Sequence, residues 1–189
     1  TLPARIHIIS EDPDGLKGMN MAKVAKARQK TYPILKGYID RREGQQQWTI
    51  AAVPGKAWAK KIFPGERTSV AVEKLWEAIL YTVRMTKTLG GEAQDGIEAW
   101  EKHNADMCAK CDYLNSLGIV SLEYHASNGT DFTVGMMENG LFCGALEHTM
   151  SGEAFNPNMP TEEVFATPKR GVAEGIVYSS KPLSYRGQV

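Results

Sequence analysis

Apolar residues in this chain come in short bursts whose period changes along its length. Residues 4–9 (ARIHII) predict a buried strand, and the Asp-, Pro- and Gly-rich stretch from Glu11 to Gly18 predicts a loop. Residues 20–31 have a helical composition, with Met21, Val24 and Ala25 on one face. Pro33 then either kinks that helix or opens a new one. Residues 48–52 (WTIAA) predict a second buried strand, stopped by Val53-Pro54-Gly55. A strand, helix, strand order favours a parallel α/β layer. A short helix with Trp58 and Phe63 fits between Gly55 and Pro64. A longer one follows, with Ser69 as its cap and Gly90-Gly91 as its stop. Its apolar positions are Val72, Leu75, Trp76, Ile79, Leu80 and Val83. Asp95 with Glu98 resembles a capping box, opening a helix that runs to Gly118. Ile97, Trp100, Asn104, Met107, Cys108, Cys111 and Leu114 lie along one face of it.

Beyond Gly118 the period becomes two. Val120, Leu122 and Tyr124 alternate with polar or smaller residues, as do Phe132, Val134 and Met136. Asn128-Gly129 between them predicts a type I′ hairpin, which needs positive φ at both positions. Asn139-Gly140 predicts a second turn into Leu141, Cys143 and Ala145, giving an antiparallel meander over 119–146. A loop with Gly152, Pro157 and Pro160 follows, then strands at 162–167 and 174–179. The fold class is therefore mixed α/β (α+β). An α/β part spans 1–117 and a mainly antiparallel β part spans 118–189.

Composition narrows the function. Lys+Arg and Asp+Glu are both 22, so no broad field draws the chain to nucleic acid or to an anionic membrane. Arg41-Arg42 and Lys60-Lys61 read as solvated surface pairs. Three cysteines do not make a disulfide framework. Residues 1–20 hold no apolar core of signal-peptide length, and no run approaches the roughly 20 residues that span a bilayer. A cytoplasmic protein without nucleic-acid or membrane partners is the expectation. Both ends, TLPARIHIIS and Ser184–Val189, read as strand approaches and suggest a segment of something longer.

Most candidate chemistry reduces to structure. Cys108-Ala-Lys-Cys111 supplies half a tetrahedral metal site, and His103 five residues earlier sits largely to one side. A redox CxxC belongs at a helix N-terminus, whereas this pair lies mid-helix in line with Trp100 and Met107, so it reads as core. His7 falls in an apolar run; His125 and His148 flank the meander. No dinucleotide fingerprint, P-loop or nucleophile elbow occurs. The densest signal is Asn156–Pro168, NPNMPTEEVFATP. It presents Glu162 and Glu163 at a strand entrance framed by prolines. Buried carboxylates need solvent, a base or a metal, and neighbours on a strand point to opposite faces.

That stretch resembles a family hallmark. Asn158–Phe165 (NMPTEEVF), with Pro168, Glu174-Gly175, Lys181-Pro182-Leu183 and Gly187, is similar to the aminopeptidase T family of metallo-aminopeptidases, which includes aminopeptidase S and PepS. Trp48-Thr49-Ile50, Pro54, Trp58-Ala59, Phe63-Pro64, Leu75-Trp76, Trp100, Leu114-Asn115 and Gly129-Thr130-Asp131 follow the family's order. The resemblance covers essentially the whole chain and implies members about twice as long. It implies two divalent metal ions, zinc, cobalt or manganese, held by two glutamates, two histidines and an aspartate, with a tyrosine nearby. Of these only the first glutamate falls here. It is assigned to Glu163, because relatives with Gly in place of the first Glu keep the second. The other ligands are expected beyond Val189.

Two divalent ions about 3.5–4 Å apart lower the pKa of a shared water and polarise a scissile carbonyl. The implied activity is removal of N-terminal residues from short peptides. Glu162 is the candidate catalytic residue, as base or anchor for the substrate α-amine. Asp131 is expected to cap its own turn. A homodimer is implied for the full-length protein. Two other readings stand beside this one: a non-catalytic α/β binding module, and a different metal-dependent reaction on the same scaffold.

Overall fold

A computed structural model describes residues 2–181. Its elements, in order, are β1 (Arg5–Ile9), α1 (Met21–Arg42), β2 (Trp48–Ala52), α2 (Lys56–Ile62), α3 (Thr68–Thr82) and α4 (Gly96–Ser116). Then come β3 (Ser121–His125), β4 (Asp131–Met136), β5 (Cys143–Gly144), β6 (Glu147–His148), β7 (Ala154–Phe155), β8 (Asn158–Met159), β9 (Val164–Phe165) and β10 (Pro168–Ile176). The class is mixed α/β, as the periodicity predicts. The chain folds as two compact units: the chain up to Ala105 with Ala145–Glu162, and Asp106–Gly144 with the chain from Glu163 onward. The turn expected at 184–189 lies outside the described residues. No helix among them is long and apolar enough to cross a membrane.

The first unit contains the expected parallel pair. β1 and β2 run in register from Arg5↔Trp48 to Ile9↔Ala52, and β8 adds in parallel on the far side of β2. The core lies under β2. Ala59 and Ala71, both fully buried, bring α2 and α3 together, and Leu75, Ile79, Trp58, Phe63 and Val72 fill the space around them. Burial differs from expectation in β1. As the edge strand it leaves Ile6 and Ile8 about two-thirds exposed, at 68% and 65%, and β2 is only half-buried.

Helix ends also differ. α1 takes Asn20 as its cap, the Asn20 Oδ1 accepting from the Lys23 N–H at 3.1 Å. It then runs through Pro33 as one 22-residue helix with no buried residue. α3 starts one residue before Ser69, capped by the Arg67 backbone with no side-chain bond. It stops at Thr82, well before Gly90-Gly91, because Arg84 turns into the left-handed region at φ 61°. α4 begins as predicted: Asp95 Oδ1 accepts from the N–H groups of Ile97 and Glu98 at 2.9 and 3.2 Å.

In the second unit β4 is central, flanked by β3 and β10, both antiparallel. The β3–β4 hairpin has a different turn from the one expected. The Ala126 N–H bonds the Thr130 carbonyl and the Gly129 N–H bonds the Ala126 carbonyl. Positive φ falls on Gly129 alone, at 94°. This is the three-residue loop with a left-handed glycine, not type I′. Asn128 caps the turn, its Oδ1 accepting from the Thr130 N–H at 3.0 Å, so Asp131 does not. The third meander strand is absent from this sheet. Asn115 explains why: its side chain accepts from the Phe142 N–H at 2.7 Å and donates to the Phe142 carbonyl at 3.1 Å. The chain is thereby drawn to α4, and β5 pairs with β9 instead.

Candidate functional site

The acidic segment is built residue by residue. β8 is joined to β2 in parallel, and the Ile50 N–H bonds the Pro157 carbonyl at 2.8 Å. Asn156 and Asn104 exchange amide bonds at 2.8 and 3.1 Å, and Asn156 Nδ2 also donates to the Ala145 carbonyl. From the preceding residue of α4, His103 Nε2 lies 2.7 Å from the Thr161 carbonyl. A carbonyl only accepts, so that nitrogen carries the proton. His103 is 8% exposed and Thr161 is buried with it. The Trp100 ring meets the imidazole edge-on, with centroids 5.5 Å apart. His103 is therefore a structural residue and not a third partner for the CxxC pair.

Glu162 comes next. Its Oε1 lies 2.5 Å from the Arg84 guanidinium, which is stacked 5.6 Å over the Trp100 ring. The Trp100 indole N–H donates to the Val83 carbonyl at 2.8 Å, tying the ring to the end of α3. Thus two consecutive residues of α4, His103 and Asn104, and Arg84 just past the end of α3 hold the segment at Asn156, Thr161 and Glu162. Asn104 carried a readable signal, being an amide within an otherwise apolar stripe. Arg84 carried none, since its role depends on a backbone turn that no local pattern announces.

Glu163 belongs to the second unit, immediately before β9. Its side chain is exposed, and its backbone packs closely on β5. A Cβ on Gly144 would lie 2.6 Å from the Glu163 carbonyl oxygen, so only glycine admits this approach. Cys111 sits on the same side, 3.5 Å from that position, and burial raises its thiol pKa. A raised pKa disfavours the thiolate that metal binding or redox chemistry needs, which fits the reading of the CxxC pair as core. His7 and His148 are exposed, and His125 lies 3.1 Å from Asp131 on the hairpin surface.

Whether these residues fit a metal is decided by donor count. Among the described residues no group of three or more His, Cys, Asp or Glu could hold an ion. Glu163 offers one carboxylate, against about four donors for zinc and more for a dinuclear pair. The described residues do not by themselves form the metal centre.

Comparison with known proteins places the chain in a family of metalloproteases. The chain belongs to the thermophilic metalloprotease (M29) family, which it matches over residues 1–189. It is 37% identical to Aminopeptidase T of Thermus aquaticus over 190 residues, 98% of this chain and 44% of that protein. Aminopeptidase AmpS of Bacillus subtilis (strain 168) is 34% identical, again over 98% and 44%. The solved structure of wild-type AmpT from Thermus thermophilus superposes with a TM-score of 0.78 at 35% identity, covering 95% of this chain and 42% of that one. The chain thus spans less than half the length of the relatives it matches.

Proposed function

We propose that this chain is part of a dinuclear metal-dependent aminopeptidase that removes N-terminal residues from short peptides, and that Glu163 is one of its metal ligands. Relatives named as aminopeptidases support the activity. The observation carrying the residue assignment is the close approach of the Glu163 backbone to Gly144. That contact fixes the chain from which an exposed carboxylate projects, and a ligand gains affinity when its direction is fixed beforehand. Zinc, cobalt or manganese are the candidate ions, since carboxylate and imidazole donors accept each of them. Glu162, already oriented by Arg84, is the proposed anchor for the substrate α-amine or the base. The division at 117/118, a cytoplasmic location, a homodimer and the lack of nucleic-acid or membrane partners belong to the same reading.

The test is Glu163→Gln in the full-length protein, with metal content measured beside aminopeptidase activity. Removing a contact around a ligand typically costs ~10–100-fold in metal affinity, and loss of a ligand should exceed that. Unchanged metal content and unchanged kcat would remove Glu163 from the site, whereas a full-length protein that turns over no aminoacyl substrate before any substitution would favour a non-catalytic binding module.

A further inference from the structure

Arg84 occupies a position where glycine is the usual residue. It follows the C-cap of α3 and has φ 61°. A residue with a side chain is strained there, and helices commonly place Gly at this point. Such strain persists only where the surroundings over-determine it. Here the Arg84 N–H bonds the Tyr81 carbonyl, Gln94 Nε2 bonds the Arg84 carbonyl at 2.9 Å, and the Met85 N–H returns to the Leu80 carbonyl. The side chain is held as firmly as the backbone. It is 24% exposed, lies over the Trp100 ring, and ends on Glu162 Oε1. Most surface ion pairs join two mobile side chains and contribute little. In this one the cation is fixed, and only the carboxylate, 61% exposed, would otherwise move freely.

We infer that Arg84 is a positioning residue for the acidic segment: its guanidinium, braced on Trp100, holds Glu162 and through it the chain entering Glu163. This rests on the proposed function for its consequence in catalysis, but not for its consequence in mobility. A glycine at 84 would suit the backbone better and serve the segment worse.

Arg84→Gly in the full-length protein separates the two roles. Three measurements apply: Tm, hydrogen exchange of a peptide covering 156–166, and kcat/KM on an aminoacyl chromogenic substrate. The expected result is a Tm at or above wild type with exchange in that peptide about tenfold faster, since only local opening is eased. kcat/KM should fall about tenfold, and the fall should vanish when Glu162→Gln is already present, because the two residues act as one unit. Unchanged exchange at 156–166 overturns the inference whatever the activity does. Faster exchange throughout with a lower Tm also overturns it, since Arg84 would then support the fold at large. Faster local exchange with unaltered kcat/KM upholds the positioning and counts instead against Glu162 in the proposed reaction.

Discussion

At Gly144 an added Cβ would meet the Glu163 carbonyl oxygen at 2.6 Å and the Val164 Cα at 3.3 Å. Both are backbone atoms, at and just before the paired strand β9, so neither yields by a side-chain rotation. Gly144→Ala should therefore destabilise by about 1–3 kcal/mol, the usual range for overpacking a tight site. Urea unfolding of the full-length variant checks this, and an unchanged midpoint would show that β9 shifts at no cost. The sequence does not distinguish Gly144 from its many surface glycines, because what makes it special is a strand almost twenty residues downstream. His103 is similar. Its distance from the cysteines argued against a ligand role, yet its partner, the Thr161 carbonyl 58 residues away, was not legible. Side chains that act on distant backbone leave no local pattern. Those that act on their own turn, such as Asp95 and Asn20, do leave one.

Elements form where the pattern puts them when their period is strong and their ends are set locally. β2, α2 and the start of α4 fall where the pattern puts them. The misplaced ends were those fixed by tertiary partners: Arg84 on Gln94, and Phe142 on Asn115. α1 differs in kind, since the sequence has Pro33 either kink the helix or open a new one, and it instead lies inside a continuous helix. Proline removes one backbone bond and clashes with the preceding turn, costing about 3 kcal/mol relative to alanine in a helix interior. None of that is offset by packing, because α1 has no buried residue. Pro33→Ala should thus stabilise the helix locally. The expected readout is slower amide exchange across Met21–Arg42, by at least about tenfold, with little change in global Tm. If exchange there is unaffected, Pro33 sits in a segment that α1's own bonds do not govern.

The chain passes between its two units at three points, after Ala105, after Gly144 and after Glu162. The last falls between the two carboxylates that sequence reasoning singled out. Periodicity could divide a helical region from a β region, but it could not show that Ala145–Glu162 returns to the first unit. That return is made by Asn104, His103 and Arg84 gripping the segment, contacts that local patterning does not encode. The chain's relation to its relatives follows the same logic. It spans 44% of Aminopeptidase T from Thermus aquaticus, and its described residues gather no set of three metal-binding side chains. A single carboxylate binds a divalent ion weakly, since each donor shares the cost of stripping its water. The 189-residue chain alone is therefore expected to bind cobalt, zinc or manganese no better than about millimolar, in the range of sparsely liganded sites. It should also hydrolyse no aminoacyl chromogenic substrate. Calorimetric titration and a rate assay with each ion test this, using the full-length protein as the positive reference. Turnover by the chain alone, abolished by a chelator, would mean that the ligands lie within it and that Glu163 has partners among residues 1–189.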